Sequence, residues 1–158
     1  MDIGFLKDNR YFRYRAAAII IEDNCVLFAG NERDDYYYSI GGAVHHGEKS
    51  EDAVKREVFE ETGVHYDIER LVYIHENFFK AEDNGKEIIW HEVTFYFLMK
   101  PRGTKELNSN SYNMWNAKET MHWLPIDKLK EYKAYPTFFA DKLLHMDSGV
   151  EHIVTSEY

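Results

Sequence analysis

The sequence predicts an α/β domain, an α/β/α sandwich on a mixed β-sheet. Three observations point there. Short apolar or aromatic segments of strand length recur along the chain, one helix is sharply marked at 50–62, and a second helical stretch follows Pro125. The 158 residues suffice for one domain with a proper core, reading 1–158 as one unit with its core over about 14–146. No repeat, low-complexity tract or linker divides them.

Each element has a local reason. Residues 14–21 are rich in Ala and Ile and suit a buried strand, and Asp23-Asn24 separates them from a hairpin partner at 25–29. Residues 36–40 form an aromatic strand that runs into Gly41-Gly42, read as a tight turn. In the 50–62 helix Ser50 is the expected cap, Glu51 and Asp52 suit the positive end of the dipole, and Gly63 is the stop. Residues 66–79 and 87–99 read as strands joined around Asp83-Asn84-Gly85, a strong hairpin turn. On the second of them Val93, Phe95, Phe97 and Met99 share one face, and Glu92, Thr94 and Tyr96 the other. A last strand is expected at 119–124 and a helix at 127–146, broken near Pro136. The tail after Ser148 is expected to be loosely held.

Composition excludes several functions. The chain carries 28 acidic and 19 basic residues, a formal charge of −9. Tracking a nucleic-acid backbone requires clustered Lys and Arg, so no nucleic-acid partner is expected. An acidic protein acting on a polyanion needs a cation to screen the repulsion. Cys25 is the one cysteine, with neither a disulfide partner nor zinc-site spacing, and reads as a core thiol. The run 16–21 is too short to span a membrane, and no signal peptide is visible. A cytoplasmic protein without a membrane partner is the expectation.

Residues 42–64 read GAVHHGEKSEDAVKREVFEETGV. On a helix Glu57, Glu60 and Glu61 stand at i, i+3 and i+4, so their carboxylates share a side. Such like charges destabilise a helix. Glu57 also falls between Ala53 and Val54, beside the apolar side that holds Val58. A solvated acidic face would keep its carboxylates away from the core. Clustered carboxylates are what hard divalent cations bind, which resolves the conflict. Arg56 can hold a carboxylate in its rigid fork, and Glu48 is either its partner or a further ligand.

The spacing resembles the Nudix box: Gly, five residues, Glu, seven residues, Arg-Glu, aliphatic, any residue, Glu-Glu, any residue, Gly, aliphatic. Every fixed position is filled, a match with a chance of roughly 10⁻⁹ per start position. The flanks are similar too. A strand pair precedes the box, Glu119 precedes Trp123-Leu124-Pro125, and a helix is expected at the end. One departure is Ser39-Ile40-Gly41-Gly42 where many members have Leu-Pro-Gly-Gly.

The resemblance implies a Nudix fold and a hydrolase of phosphoanhydride bonds in nucleoside diphosphate-linked substrates. It implies magnesium, with manganese as a substitute, held by Glu57, Glu60, Glu61 and the carbonyl of Gly41. Arg56 and Glu48 would orient those ligands. The general base would be a box glutamate, matching Glu57, or a later one, for which Glu119 is the nearest candidate. Tyr37 and Phe79 are candidates for contact with a small-molecule nucleotide. His45 and His46 read as loop residues, and Glu92 as lining a cleft or a solvated strand face. A homodimer, common among relatives, is a further expectation.

Substrate markers are absent. ADP-ribose hydrolases of the family tend to carry a proline about sixteen residues beyond the box, and dinucleoside polyphosphate hydrolases a tyrosine. Phe79, Lys80, Ala81 and Glu82 stand there instead. A MutT-like nucleoside triphosphate pyrophosphatase is the first expectation, and ADP-ribose, nucleotide sugars and dinucleoside polyphosphates are the alternatives. A silent nucleotide-binding module would be expected to lose a box carboxylate, and none is lost.

Overall fold

A computed structural model describes residues 1–109 and 118–158. In chain order its elements are β1 (Gly4–Lys7), β2 (Arg10–Ile19), β3 (Ile21–Glu22), β4 (Cys25–Asn31), β5 (Tyr37–Ala43) and α1 (Ser50–Thr62). There follow β6 (Ile68–Asp83), β7 (Lys86–Met99), β8 (Glu119–Pro125), a 3₁₀ turn (Ile126–Glu131), β9 (Ala134–Tyr135), α2 (Phe139–Lys142) and β10 (Glu151–Ser156).

The strands join in one mixed sheet ordered β10-β6-β7-β2-β5-β4-β3, with β1 added to β2, β8 to β4 and β9 to β5. Pairs β2/β7, β6/β10 and β5/β9 are parallel, and β2/β5, β4/β5, β4/β8 and β6/β7 antiparallel. Asp23 and Asn24 (φ 50° and 58°) turn β3 into β4, and Asn84 and Gly85 (φ 49° and 77°) turn β6 into β7. Two successive positive φ angles match the twist of a two-residue hairpin.

Apolar cores lie on both faces of the sheet. Ala16, Ala18, Ile40 and Val44 pack against Ala53, Val54 and Val58 of α1. On the reverse face Ala17, Ile19, Val26, Phe28 and Tyr96 pack against Leu129, Phe139 and Leu143. The alternation along β2 sends successive side chains to opposite faces, and both are covered, hence its almost unbroken Ala/Ile run.

Several expectations need correction. The 127–146 helix is not continuous: Ala134 and Tyr135 extend to pair with Tyr37 and Tyr38, and Pro136, which has no N–H, follows. Only Phe139–Lys142 is α-helical there, so the second helical layer is thin. The tail is not loose, because Glu151–Ser156 pairs with Tyr73–Phe78. Lys49, not Ser50, is the residue before the first turn of α1, and it makes no side-chain cap bond. Gly63 does end α1, in the left-handed conformation at φ 72°. Gly41 and Gly42 lie within β5 and form no turn. Finally, Glu92, Thr94 and Tyr96 are all buried, so the polar-looking face of β7 is not a solvated one.

Candidate active site

The box helix lies against a strand, β5, that carries two successive glycines, Gly41 and Gly42. A Cβ on Gly42 would sit 2.4 Å from the Glu57 carboxyl carbon, and one on Gly41 would sit 2.4 Å from the Ala16 carbonyl oxygen. The glycine pair lets the helix carboxylates press directly on the β5 backbone. Glu61 uses this proximity: its Oε2 accepts the Gly41 N–H at 2.9 Å.

Arg56 organises the other side. Its Nε and Nη2 donate to Glu48 at 2.9 and 3.0 Å, its Nη1 to Glu57 Oε1 at 2.7 Å, and its Nη2 also to the Ala43 carbonyl at 3.1 Å. Glu60 Oε2 stands 3.6 Å from Nη1, with the Glu60 side chain 56% exposed. A rigid fork with five donors can serve such a set, which an ammonium could not. Glu48 Oε1 also accepts the His45 N–H at 3.1 Å, and His45 in turn sits 3.2 Å from Asp2. The Arg56 hydrogen bonds bring Glu48 down to about 2.

The deeper carboxylates behave oppositely. Glu61 is buried, and its pKa is pushed well up by desolvation and then by Glu119 and Glu57 beside it. Burial also raises Glu57, against the pull of Arg56. Glu119, at the start of β8, reaches this spot because Asn31↔Glu119 is a register pair of β4 and β8. Its carboxylate stands beside Glu61 and helps to raise that group's pKa. Glu57, Glu61 and Glu119 therefore converge where α1, β5 and β8 meet. Glu60 stands further out.

Among the described residues no three His, Cys, Asp or Glu side chains stand as a ready metal cage. The carboxylates are instead engaged singly by Arg56 and the Gly41 N–H. The chemistry of the group nevertheless fits a hard divalent cation. Every donor is oxygen, and burial raises the pKa of both Glu57 and Glu61 in spite of the neighbouring guanidinia, a cost that a bound cation would offset.

The two candidates for nucleotide contact each pack among aromatic rings. Tyr37 lies on the reverse face of β5, edge-on to His122 and Tyr132 at 5.0 and 6.0 Å. Phe79 stacks on Trp90 at 5.2 Å, well out on the hairpin. Tyr38, rather than Tyr37 of the same aromatic strand, is the tyrosine beside the carboxylates: burial, Glu119 and Glu61 push it up to about 12, although Asn31 donates a 3.2 Å hydrogen bond to its hydroxyl. Arg15 was missed. It is buried beside β5, donating to Ser39 Oγ at 3.0 Å and to the Ser39 carbonyl at 2.7 Å. An Arg heading the run Ala16-Ala17-Ala18 was the available signal, since a charge in a buried strand needs a partner.

The fold and this carboxylate site define a hydrolase class, and the chain belongs to the NUDIX domain family, whose profile matches residues 12–143. Nudix hydrolases act on phosphoanhydride bonds and generally use Mg²⁺. Among solved structures, a mutator MutT protein from Bacillus halodurans is similar at TM-score 0.64 and 21% identity, covering 91% of this chain and 90% of its own. A MutT protein from Methanosarcina mazei Go1 is similar at TM-score 0.59 and 17% identity (82% and 88% covered). An ADP-ribose pyrophosphatase from Streptococcus suis is similar at TM-score 0.56 and 15% identity (90% and 98% covered). Identities this low speak for the fold alone. No curated protein matches the chain.

Proposed function

We propose that this chain hydrolyses a phosphoanhydride in a nucleoside diphosphate-linked small molecule, with nucleoside triphosphates as the first substrate class. The observation that carries the reading is the convergence of Glu57, Glu61 and Glu119 on the glycine strand. Burying like-charged acids together is costly, and a bound dication offsets that cost. Glu57, Glu61 and the Gly41 carbonyl would hold magnesium or manganese, with Glu60 supplying a carboxylate from the exposed side. When bound, the ion supplies charge neutralisation at the phosphates and a more acidic water.

The protein's own groups do the rest. Arg56 holds Glu57 and Glu48 in fixed orientation, as an outer-shell partner of the ligands. Glu119 is the favoured proton acceptor. Arg56 already engages Glu57, which the metal would also claim, whereas Glu119 reaches the site from a separate strand, β8, beside Glu61. The water oxygen would bond to phosphorus as the anhydride P–O bond breaks, and its proton would pass to the Glu119 carboxylate.

The test is a screen of nucleoside triphosphates, nucleotide sugars, ADP-ribose and dinucleoside polyphosphates with magnesium, using wild type and Glu60→Gln. Magnesium-dependent turnover that Glu60→Gln weakens supports the reading. Binding without turnover across the panel would replace it with a nucleotide-binding module, and full activity in Glu60→Gln would remove Glu60 from the ligand set.

A further inference from the structure

On the sheet face opposite α1, buried polar groups continue outward from the carboxylate site. Arg15 feels Glu57 and Glu61 on one side and Glu92 on the other. Register places Arg15 beside Thr94 of β7 and Arg13 beside Glu92. Arg13 donates both Nε, at 2.8 Å, and Nη2 to the single oxygen Glu92 Oε2. The other oxygen of Glu92 accepts the Thr94 hydroxyl at 3.3 Å. The Arg13 guanidinium carbon also lies 5.2 Å from the Trp90 ring centroid, and Trp90 is braced by Phe79 stacked on it and by Tyr11 set edge-on at 4.4 Å.

The guanidinium is thus immobilised by a carboxylate and an aromatic ring while its side chain stays 27% exposed, against 8% for Glu92. Its two bonds to Glu92 use two of five N–H donors, leaving three for a ligand. Charge points to the kind of ligand. Arg13 and Arg15 both act on Glu92, so beside that carboxylate stand two cations to one anion, in a chain of net charge −9. Burial opposes ionisation of Glu92, but Arg13 and Arg15 hold it below the usual carboxylate range, so the pair is ionic. The distance suits the non-phosphate half of a substrate. Gly41 is level with Ala17 on β2, and Arg13 lies four residues further along, roughly 13 Å at strand rise.

We propose that Arg13, clamped between Glu92 and Trp90, is a specificity-determining residue that selects substrates carrying a second anionic group, phosphate or carboxylate, outside the scissile diphosphate. This rests on the hydrolase reading above and deepens it. A pre-positioned guanidinium binds such a group without paying for its own ordering. Glu92 serves two ends: it fixes the fork, and it keeps the strip from being a general anion trap.

The test uses matched pairs that differ by one anionic group: UDP-glucose against UDP-glucuronic acid, and ADP-ribose against its 2′-phosphate. Wild type is expected to favour the more anionic member of a hydrolysed pair by roughly 10–100-fold in kcat/KM, expressed mainly in KM. Arg13→Met should erase that preference and leave kcat for the less anionic member within about threefold. Arg13→Lys should restore part of it, and Glu92→Gln, by removing the counter-ion, should tighten binding of both anionic members. Equilibrium binding of the four compounds, followed by thermal shift, reads the same preference without turnover. Equal behaviour of both members in wild type, or an undiminished preference in Arg13→Met, overturns the proposal. A preference in binding with no hydrolysis of these four compounds leaves Arg13 assigned, and the hydrolase reading is overturned instead if the nucleoside triphosphates are not turned over either.

Discussion

Gly42 and Glu57 meet so closely that one methyl group decides the site. Gly42→Ala would place a carbon 2.4 Å from the Glu57 carboxyl, so the carboxylate must leave its place. Steady-state assays should show at least a 10-fold fall in kcat for Gly42→Ala, by analogy with displaced ligand shells. Arg56→Lys loses the fork that serves Glu48 and Glu57 together, and a fall of roughly 10–100-fold is expected in activity or metal affinity. The acids have opposite effects on stability. Glu48 is held at about 2, so its stabilising contribution is present above the unfolded carboxylate range and is lost as pH falls through 2. Glu61 is raised by burial, so its contribution is full below the unfolded pKa and is lost as pH rises through its folded value. In metal-free protein at neutral pH, Glu61→Gln should therefore raise the melting temperature, by roughly 2–4 °C for each kcal/mol gained. Glu48→Gln should lower it. Calorimetry with a chelator present reads both, and a destabilised Glu61→Gln would contradict the assignment.

At the level of elements, α1 and the β6–β7 hairpin were legible because their signals are local. Helical periodicity with Gly63 at its end fixed α1, and Asn84-Gly85 fixed the turn. Residues 151–156 gave no such signal, since β10 is held by a partner far away in sequence: Ile153 lies beside His75, and Thr155 bonds both His75 and Asn77 at 2.8 Å. Hydrogen exchange should find the backbone amides of 151–156 that pair with β6 protected, unlike a frayed tail. The 127–146 helix failed for a related reason. Its apolar residues are satisfied by packing Leu129, Phe139 and Leu143 on the reverse face of the sheet, which a broken path achieves as well as a straight one. Arg13 and Glu92 were illegible as partners because β2 and β7 become neighbours only when the sheet assembles. Alternation alone makes Glu92 look solvated.

For the molecule as a whole, the charge of −9 and the buried acids lead to one expectation: magnesium should stabilise this protein. A rise in melting temperature with magnesium that Glu57→Gln reduces would follow, and no rise at millimolar concentrations would count against metal binding at the box. No helix among the described residues is long and apolar enough to cross a membrane. The box alone specified the chemistry from sequence, whereas Glu119 was a guess that the β4–β8 register turned into a neighbour of Glu61. The measurement that tests the central claim most directly is formation of the hydrolysis products of a turned-over nucleotide, resolved by chromatography, with wild type and Glu61→Gln, each with magnesium and with chelator. The account predicts turnover in wild type with magnesium alone, and a loss of at least roughly 10²-fold in Glu61→Gln. Undiminished turnover in chelator, or wild-type rates in Glu61→Gln, would contradict it.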